Sequence, residues 1–206
     1  TVLLILAALG DFYHANQSMK EGKWEKKFLV GTELAEKTVG FFGFGRIAGL
    51  VATRLVPFRV RMIAHDPYAD QARAKRMGVE LVPFETLLAE ADIIDMHAPK
   101  TTETEGHFDA AAFAAMKDGV FIVNTARSAI VDQEALRGAL ASGKVKRAAF
   151  DVFHDEPNGV HHCLSREIIE LPNVIATPPI VGSTPEAWRR IALSAAENVI
   201  SVFHGQ

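Results

Sequence analysis

The residues with the clearest chemical potential form a glycine-containing motif, Gly43-Phe44-Gly45-Arg46-Ile47-Ala48, directly after an apolar run. In a strand-turn-helix setting the first glycine permits a tight turn, and Gly45 lets a diphosphate approach the backbone. Ala48 is small enough for the helix to pack closely on the strand, and free N–H groups at the helix start face the phosphates. Alone, the motif also fits an ordinary glycine turn, but its position after a strand favours dinucleotide binding.

A carboxylate ends the second apolar run, in His65-Asp66-Pro67, 18 residues after Ala48. In the dinucleotide-binding arrangement an acid at this distance accepts hydrogen bonds from the ribose hydroxyls of adenosine. Its charge would also repel a 2′-phosphate, so the sequence predicts NAD rather than NADP. The alternative for Asp66 is a turn-initiating residue before proline.

A second set of polar residues lies at the ends of later apolar runs: Asn124-Thr125-Ala126-Arg127, Asp151 and Glu156. Open α/β sheets bind ligands at the carboxyl ends of their strands, so these side chains are expected to converge on one crevice. Arg127 is the leading candidate, because a guanidinium can bind a carboxylate through two hydrogen bonds and polarise an adjacent carbonyl. The alternatives are an exposed loop arginine and, for Glu156, an exposed loop carboxylate.

The elements that must position these residues alternate between apolar runs and amphipathic segments. Six strands are predicted, at Thr38–Phe42, Arg59–His65, Asp92–His97, Val120–Asn124, Arg147–Phe153 and Asn173–Thr177. Helices are predicted between them, at Arg46–Leu55, Ala69–Met77, Phe84–Glu90, Ala110–Met116 and Asp132–Ser142. Parallel neighbours need crossover connections, so the fold class predicted is α/β, a doubly wound parallel sheet with helices on both faces.

Both ends of the chain are predicted to be helical. Residues 1–18 begin with an uncharged apolar run, too short to span a bilayer, and are expected to form one helix that packs against another domain or subunit. A last helix begins at Ser183 or Thr184, with Pro185 in its first turn. The domain division is therefore 1–18 as an interface helix, 19–185 as the nucleotide-binding domain and 186–206 as a hinge helix. The absence of an initiator methionine suggests an excerpt of a longer chain.

Composition narrows the class of partner. With 22 basic and 25 acidic residues among 206, the net charge of −3 argues against nucleic acid or an anionic membrane surface. A small molecule is the expected partner. One cysteine, Cys163, cannot form an internal disulfide, which predicts a reducing, cytoplasmic location.

Six segments carry a resemblance to known proteins: 40–52, Asp66-Pro67-Tyr68, 98–104, 124–132, 149–157 and 171–184. Together they resemble the D-isomer-specific 2-hydroxyacid dehydrogenases. The resemblance implies a Rossmann-like NAD-binding domain that family members insert into a substrate-binding domain, most of which lies outside this sequence. It implies a 2-oxo or 2-hydroxy acid as substrate. It also implies cofactor contacts from Gly43, Gly45, Arg46, Ile47, Asp66, Pro99, Thr104, Thr125, Ala126, Arg127 and Asp151.

The same resemblance implies two catalytic residues and exposes one departure. In the family an arginine holds the substrate carboxylate, and a histidine paired with a glutamate protonates the nascent alkoxide. Arg127 and Glu156 match the arginine and the glutamate. Where the family reads Thr-Pro-His, this sequence has Thr177-Pro178-Pro179, and proline cannot transfer a proton. We therefore expect NAD(H) binding with impaired reduction of 2-oxo acids.

Other histidines offer weaker alternatives. His154 and the run His161-His162-Cys163 lie near Glu156 and could supply the acid or remain a solvated loop. The run lacks the paired spacing of structural zinc ligands, so no metal is expected. His97 could line the nicotinamide side of the crevice or pack in the core.

Three classes of function remain open: an impaired oxidoreductase, a non-catalytic NAD(H)-binding scaffold or sensor, and a structural dimerisation module. Pro179 supports the second and the apolar leading segment the third. That segment, the apolar positions of the last helix and the family resemblance all favour a symmetric homodimer.

Overall fold

The computed structural model describes residues 1–152, 154–155, 161–162, 165–180 and 183–203. The strands are β1 (Thr38–Phe42), β2 (Arg61–His65), β3 (Val79–Leu81), β4 (Ile93–Met96), β5 (Val120–Asn124), β6 (Val145–Phe150), β7 (His154–Asp155), β8 (His161–His162) and β9 (Val174–Ala176). The helices are α1 (Val2–Gly10), α2 (Phe12–Lys20), α3 (Arg46–Leu55), α4 (Gln71–Arg76), α5 (Phe84–Glu90), α6 (Ala110–Ala115), α7 (Gln133–Ala141), α8 (Arg166–Ile169) and α9 (Pro185–Phe203).

Seven strands form one sheet in the order β3-β2-β1-β4-β5-β6-β9, and every neighbouring pair is parallel. The chain order reverses between β1 and β4, which creates the crevice where open α/β sheets bind ligands. β7 and β8 form a separate antiparallel pair. The predicted doubly wound parallel α/β fold is confirmed.

The sheet separates two apolar layers. Every residue of β1 and β5 is buried, as expected of central strands covered on both faces. One layer includes Leu87 of α5 and Leu136 of α7, both fully buried. The other layer includes Ile5 of α1 and Leu55 of α3. Helices on both faces hold the carboxyl ends of the strands in fixed register.

The leading segment differs from its prediction. Instead of one helix over residues 1–18, α1 and α2 are separated at Asp11, which adopts the left-handed conformation with φ 51°. The Asp11 carboxylate pairs with Arg147 of β6, and this tertiary contact stabilises the break. α1 buries Leu4, Ile5, Ala8 and Leu9 in the layer beside α3. It therefore packs on the sheet of its own domain, while Leu3 is 77% exposed.

Two further details concern element boundaries. β3 was not predicted, because Val79–Leu81 is a three-residue edge strand that exists through its pairing with β2. The last helix starts as predicted, and the Thr184 hydroxyl accepts a hydrogen bond from the Ala187 N–H at 3.1 Å.

Within the described residues, none of the helices combines the length and apolarity that crossing a lipid bilayer requires.

Candidate functional site

The turn after β1 requires glycine at its first position. Gly43 has φ 87°, and a Cβ placed there would lie 2.6 Å from the Ala98 backbone nitrogen. The Gly43 N–H donates to the His65 carbonyl at 2.9 Å. Both the conformation and the lack of space therefore exclude a larger residue, and the turn is held between the ends of β2 and β4.

The second glycine of the motif is open to its surroundings. A Cβ at Gly45 would meet no heavy atom within 4 Å, although the φ of −79° is accessible to any residue. Gly45, Arg46 and Ile47 are exposed, whereas Ala48 is fully buried against the sheet. The N–H groups of Gly45 and Arg46 donate to no acceptor in the described part of the chain. The start of α3 thus offers backbone donors and space for an anionic group.

Asp66 faces this turn from the end of β2. Its Oδ2 accepts from the Phe44 N–H at 2.7 Å, and its Oδ1 accepts from the Tyr68 N–H at 2.8 Å. Each carboxylate oxygen retains a further lone pair for an outside donor. Asp66 therefore initiates a local turn, as the alternative interpretation predicted, and also places a carboxylate beside the glycine motif.

A cavity of about 450 Å³ opens next to Asp66, between the loops that follow β2 and β4. Phe42, Pro67, Ala98 and Pro99 line it with apolar surface, together with His65 and His107. The Thr104 hydroxyl, also at the cavity, donates to the Pro99 carbonyl at 2.6 Å and closes the loop after β4. An apolar slot with a carboxylate at its edge suits a planar base attached to a sugar.

The mouth of this cavity carries negative charge. The Tyr68 hydroxyl donates to the Glu103 carboxylate at 3.2 Å, which links the loops after β2 and β4. The neighbouring Glu103 charge raises the pKa of Tyr68, with a smaller contribution from Asp66. A second anionic group brought to this mouth would therefore be disfavoured.

The turn after β5 is organised by Asn124, whose side chain is completely buried. Its amide oxygen accepts from the Ala126 N–H at 3.0 Å, and its Nδ2 donates to the Arg127 carbonyl at 2.9 Å. Arg127 itself is exposed, and its guanidinium donates to the Ala126 carbonyl at 2.7 Å. Thr125 is half-buried beside it. The turn thus presents Arg127 at the same sheet edge as the glycine motif.

Asp151 follows β6 and anchors the segment after β9. Its buried carboxylate accepts from the Thr177 hydroxyl at 2.6 Å and, at 3.4 Å, from the Ile180 N–H. Pro178 and Pro179 lie between these two contacts and are exposed. The segment that departs from the family pattern is therefore fixed at the carboxyl end of the sheet.

Several predicted candidates either lie outside the described residues or pack away from the crevice. Glu156 and Cys163 lie outside the described residues, as do the side chains of His154, His161 and His162. The His97 side chain is only 3% exposed, and its Nε2 lies 2.8 Å from Oδ2 of Asp95. This placement agrees with the core alternative for His97 and disagrees with a role as pocket wall.

Two residues near the carboxyl ends of the strands were missed as candidates: Arg73, which bonds to the glycine turn, and Asp95, which bonds to His97. Burial raises the pKa of Asp95, while the hydrogen bond to His97 acts in the opposite direction. The other carboxylate oxygen of Asp95 is buried without a hydrogen-bond partner among the described residues. A charged residue within a predicted buried strand was the available signal for Asp95, since such residues are rarely buried unpaired.

The residues present fit a dinucleotide. The glycine turn leaves no room for a side chain at Gly43 and open space at Gly45. Two backbone N–H groups there have no acceptor among the described residues. Asp66 and the adjoining cavity suit the ribose and the base of adenosine.

Comparison with known proteins identifies the family to which this chain is similar. Residues 2–180 match the model for the NAD-binding domain of the D-isomer specific 2-hydroxyacid dehydrogenases. The D-3-phosphoglycerate dehydrogenase of Archaeoglobus fulgidus is 42% identical over 204 residues, which cover 99% of this chain and 38% of that protein. The hydroxypyruvate reductase of Thermotoga maritima is 43% identical over 196 residues, or 95% of this chain and 62% of that protein.

Solved structures of similar fold point to the same family. D-lactate dehydrogenase from Aquifex aeolicus, complexed with NAD and lactic acid, superposes with a TM-score of 0.86 at 28% identity, covering 100% of this chain and 65% of that one. The chain thus spans about 38–65% of the length of these proteins. The resemblance inferred from sequence and the prediction of NAD are confirmed. The chain belongs to the D-isomer specific 2-hydroxyacid dehydrogenase family and contains its NAD-binding domain.

Proposed function

We propose that this chain is the cofactor-binding part of an oxidoreductase that interconverts a small 2-hydroxy acid and its 2-oxo acid. The observation that carries the proposal is Arg127, exposed in a turn held by Asn124 at the sheet edge that also bears the glycine motif. A guanidinium there can bind a substrate carboxylate bidentately. When bound, NADH supplies the hydride for the carbonyl carbon. The names of the relatives, dehydrogenases and reductases, support this reaction class.

We further propose that Gly45, Arg46 and Ile47 contact the diphosphate, and that Asp66 binds the adenosine ribose. Gly43 shapes the turn, while Pro99 and Thr104 border the adenosine cavity. Thr125, Ala126 and Asp151 lie at the carboxyl ends of β5 and β6, where they would border the nicotinamide. Glu156 remains the family-based candidate for partner of a proton donor.

Turnover is proposed to be slow because the position of the general acid is Pro179. Its segment is fixed through the bonds of Thr177 and Ile180 to Asp151, and Pro179 is exposed between them. Proline has no titratable group, so the nascent alkoxide would take its proton from water or another residue. Removing a general acid typically lowers a rate by about 10²- to 10⁴-fold.

The test measures NADH-dependent reduction of glyoxylate, pyruvate and hydroxypyruvate by the full-length protein and by its Pro179→His variant. We expect the variant to turn over at least one of these acids about 10²- to 10⁴-fold faster. Pro178→His is the matched control, because it adds the same imidazole one residue away and should leave the rate unchanged. Equal rates for the full-length protein and Pro179→His would overturn the proposal of impairment.

A second candidate function is a non-catalytic NAD(H) sensor or scaffold, which Pro179 favours. It predicts micromolar binding of NADH without turnover in either the unmodified protein or Pro179→His. Absence of binding at millimolar NADH would contradict both nucleotide-dependent functions and leave the structural dimerisation module. Fluorescence titration of NADH separates these outcomes.

Self-association as a homodimer is proposed from the exposed apolar surface. No residue of α9 is buried, and Trp188, Ile191 and Val202 are each more than half exposed. Leu3 of α1 and Phe12 of α2 are exposed as well. We also propose that residues 19–185 form the nucleotide-binding domain and residues 186–206 a hinge helix, with residues 1–18 as a leading segment whose α1 packs on the sheet of that domain. A cytoplasmic location is proposed from the single cysteine.

A further inference from the structure

The Arg73 side chain reaches from α4 to the glycine turn. Its Nη1 donates to the Phe44 carbonyl at 3.2 Å and its Nη2 donates to the Gly45 carbonyl at 3.0 Å. The guanidinium carbon also lies 5.5 Å from the centroid of the Phe44 ring. A planar fork of donors is suited to two adjacent acceptors, so this contact fixes two consecutive peptide groups.

The packing around Arg73 depends on a small residue in α3. A Cβ at Gly49 would lie 2.5 Å from Nη2 of Arg73 and 3.2 Å from the Met77 side chain. At the start of α4, the Asp70 carboxylate accepts from the N–H groups of Ala72 and Arg73. Gly49 therefore leaves room for the guanidinium, and Asp70 holds the backbone from which it extends.

Fixing these two carbonyls also fixes two N–H groups. In a planar trans peptide, C=O and the following N–H point in opposite directions. The Phe44 carbonyl shares its peptide with the Gly45 N–H, and the Gly45 carbonyl shares its peptide with the Arg46 N–H. These are the two N–H groups that find no acceptor in the described part of the chain. Arg73 therefore holds the two peptide groups with these N–H groups on the side opposite to its guanidinium. The Gly45 carbonyl also accepts from the Gly49 N–H at 3.1 Å, within α3.

We propose that Arg73 is a positioning residue for the diphosphate of the dinucleotide. It acts through the backbone of the glycine turn, which it holds with the N–H groups of Gly45 and Arg46 directed outward. The proposal rests on the assignment of the turn as the cofactor site. It predicts that Arg73 supports binding of the phosphate-bearing part of the ligand and contributes nothing to recognition of adenosine alone.

The experiment measures, by calorimetry, the Kd of the full-length protein for NAD⁺, NADP⁺, ADP and adenosine. Arg73→Leu is expected to weaken NAD⁺ and ADP by a similar factor, about 10- to 100-fold, and to leave adenosine unchanged. Arg73→Lys keeps the charge but lacks the fork, so it should recover only part of the loss. Arg54→Leu is the matched control, because Arg54 is exposed on α3 and bonds to Leu50 of its own helix.

A second variant tests the same contact in case Arg73→Leu fails to fold. Gly49→Ala places a methyl group 2.5 Å from Nη2 of Arg73, so the guanidinium must move, and alanine is favourable within a helix. It should weaken ADP binding while the chain stays folded by circular dichroism.

The outcomes are distinguishable. Equal losses for adenosine and ADP would overturn the proposal, as would an unchanged Kd for ADP in Arg73→Leu. A larger loss for NADP⁺ than for NAD⁺ would also overturn it, because Arg73 would then contact a 2′-phosphate. Failure of the unmodified protein to bind NAD⁺ or ADP at all would contradict the cofactor site as well.

Discussion

Asp66 at the end of β2 accepts a hydrogen bond of 2.7 Å from the backbone N–H of Phe44, within the glycine turn that follows β1. The two segments are 22 residues apart in sequence and meet because β1 and β2 are parallel neighbours. One carboxylate thus stabilises the turn and faces the proposed ribose position. Its charge, close to that of Glu103 at the cavity mouth, gives a physical basis for preferring NAD to NADP.

Replacing Asp66 by alanine should weaken NAD⁺ binding by about 10- to 100-fold, since hydrogen bonds to a charged group are lost. NADP⁺ should lose less affinity, because repulsion of its 2′-phosphate disappears as well. Titration with both nucleotides measures the ratio of the two Kd values. Asp118→Ala, which removes an exposed carboxylate, is the control. If Asp66→Ala left the ratio of the NAD⁺ and NADP⁺ Kd values unchanged, Asp66 would not be the residue that binds the adenosine ribose.

The two glycines of the turn should respond differently to alanine. Gly43→Ala should lower the free energy of unfolding by about 1–3 kcal/mol from its backbone conformation alone, and by more from the contact with Ala98. Gly45→Ala should leave stability nearly unchanged, since its surroundings are open, but should weaken NAD⁺ binding by occupying the space beside the diphosphate. Urea denaturation and nucleotide titration of both variants measure this. Unimpaired NAD⁺ binding in Gly45→Ala would contradict the placement of the diphosphate.

The buried Asp95 should make stability depend on pH. Burial raises its pKa, so the folded chain binds the proton more tightly than the unfolded chain does. The contribution of Asp95 to the free energy of unfolding is therefore greatest below the ordinary pKa of about 3.9 and declines as the pH rises through the raised pKa.

Asp95→Asn removes this titration. The free energy of unfolding of the variant minus that of the unmodified protein should therefore increase with pH over that range. Urea denaturation between about pH 4 and 8 measures the difference. The control is Asp118→Asn, because the pKa of Asp118 is lowered by Lys144 and the residue is fully exposed, so any slope should be small and opposite. If the difference in free energy of unfolding between Asp95→Asn and the unmodified protein were the same at every pH, the raised pKa of Asp95 would be contradicted.

Self-association should depend on the apolar face of α9. Light scattering of the full-length protein is expected to give a dimer, and the double variant Trp188→Glu, Ile191→Glu should give a monomer. Glu197→Gln, on the same helix, should remain dimeric. A monomeric unmodified protein, or a dimer unaffected by the double variant, would place the interface elsewhere or exclude it.

Local patterns were sufficient for much of this fold. The apolar runs of β1 and β5 have the predicted limits, because buried central strands consist almost wholly of apolar residues. The start of α7 was also predictable, since Asp132 caps it by accepting from the Ala135 N–H. Two features were not predicted. β3 is only three residues long, and the break between α1 and α2 at Asp11 depends on the ion pair with Arg147 of β6.

The sequence by itself determined the alternating elements, the glycine motif and the acid that follows the second strand, because spacing and residue type along the chain encode them. Tertiary structure alone decided which distant groups support them. Arg73 reaches the glycine turn only because α4 crosses beside Gly49, and Asp95 and His97 pair where helices cover the sheet. Such contacts depend on how helices and strands pack against one another. The pattern of apolar residues along the chain predicts each element but not which distant elements become neighbours.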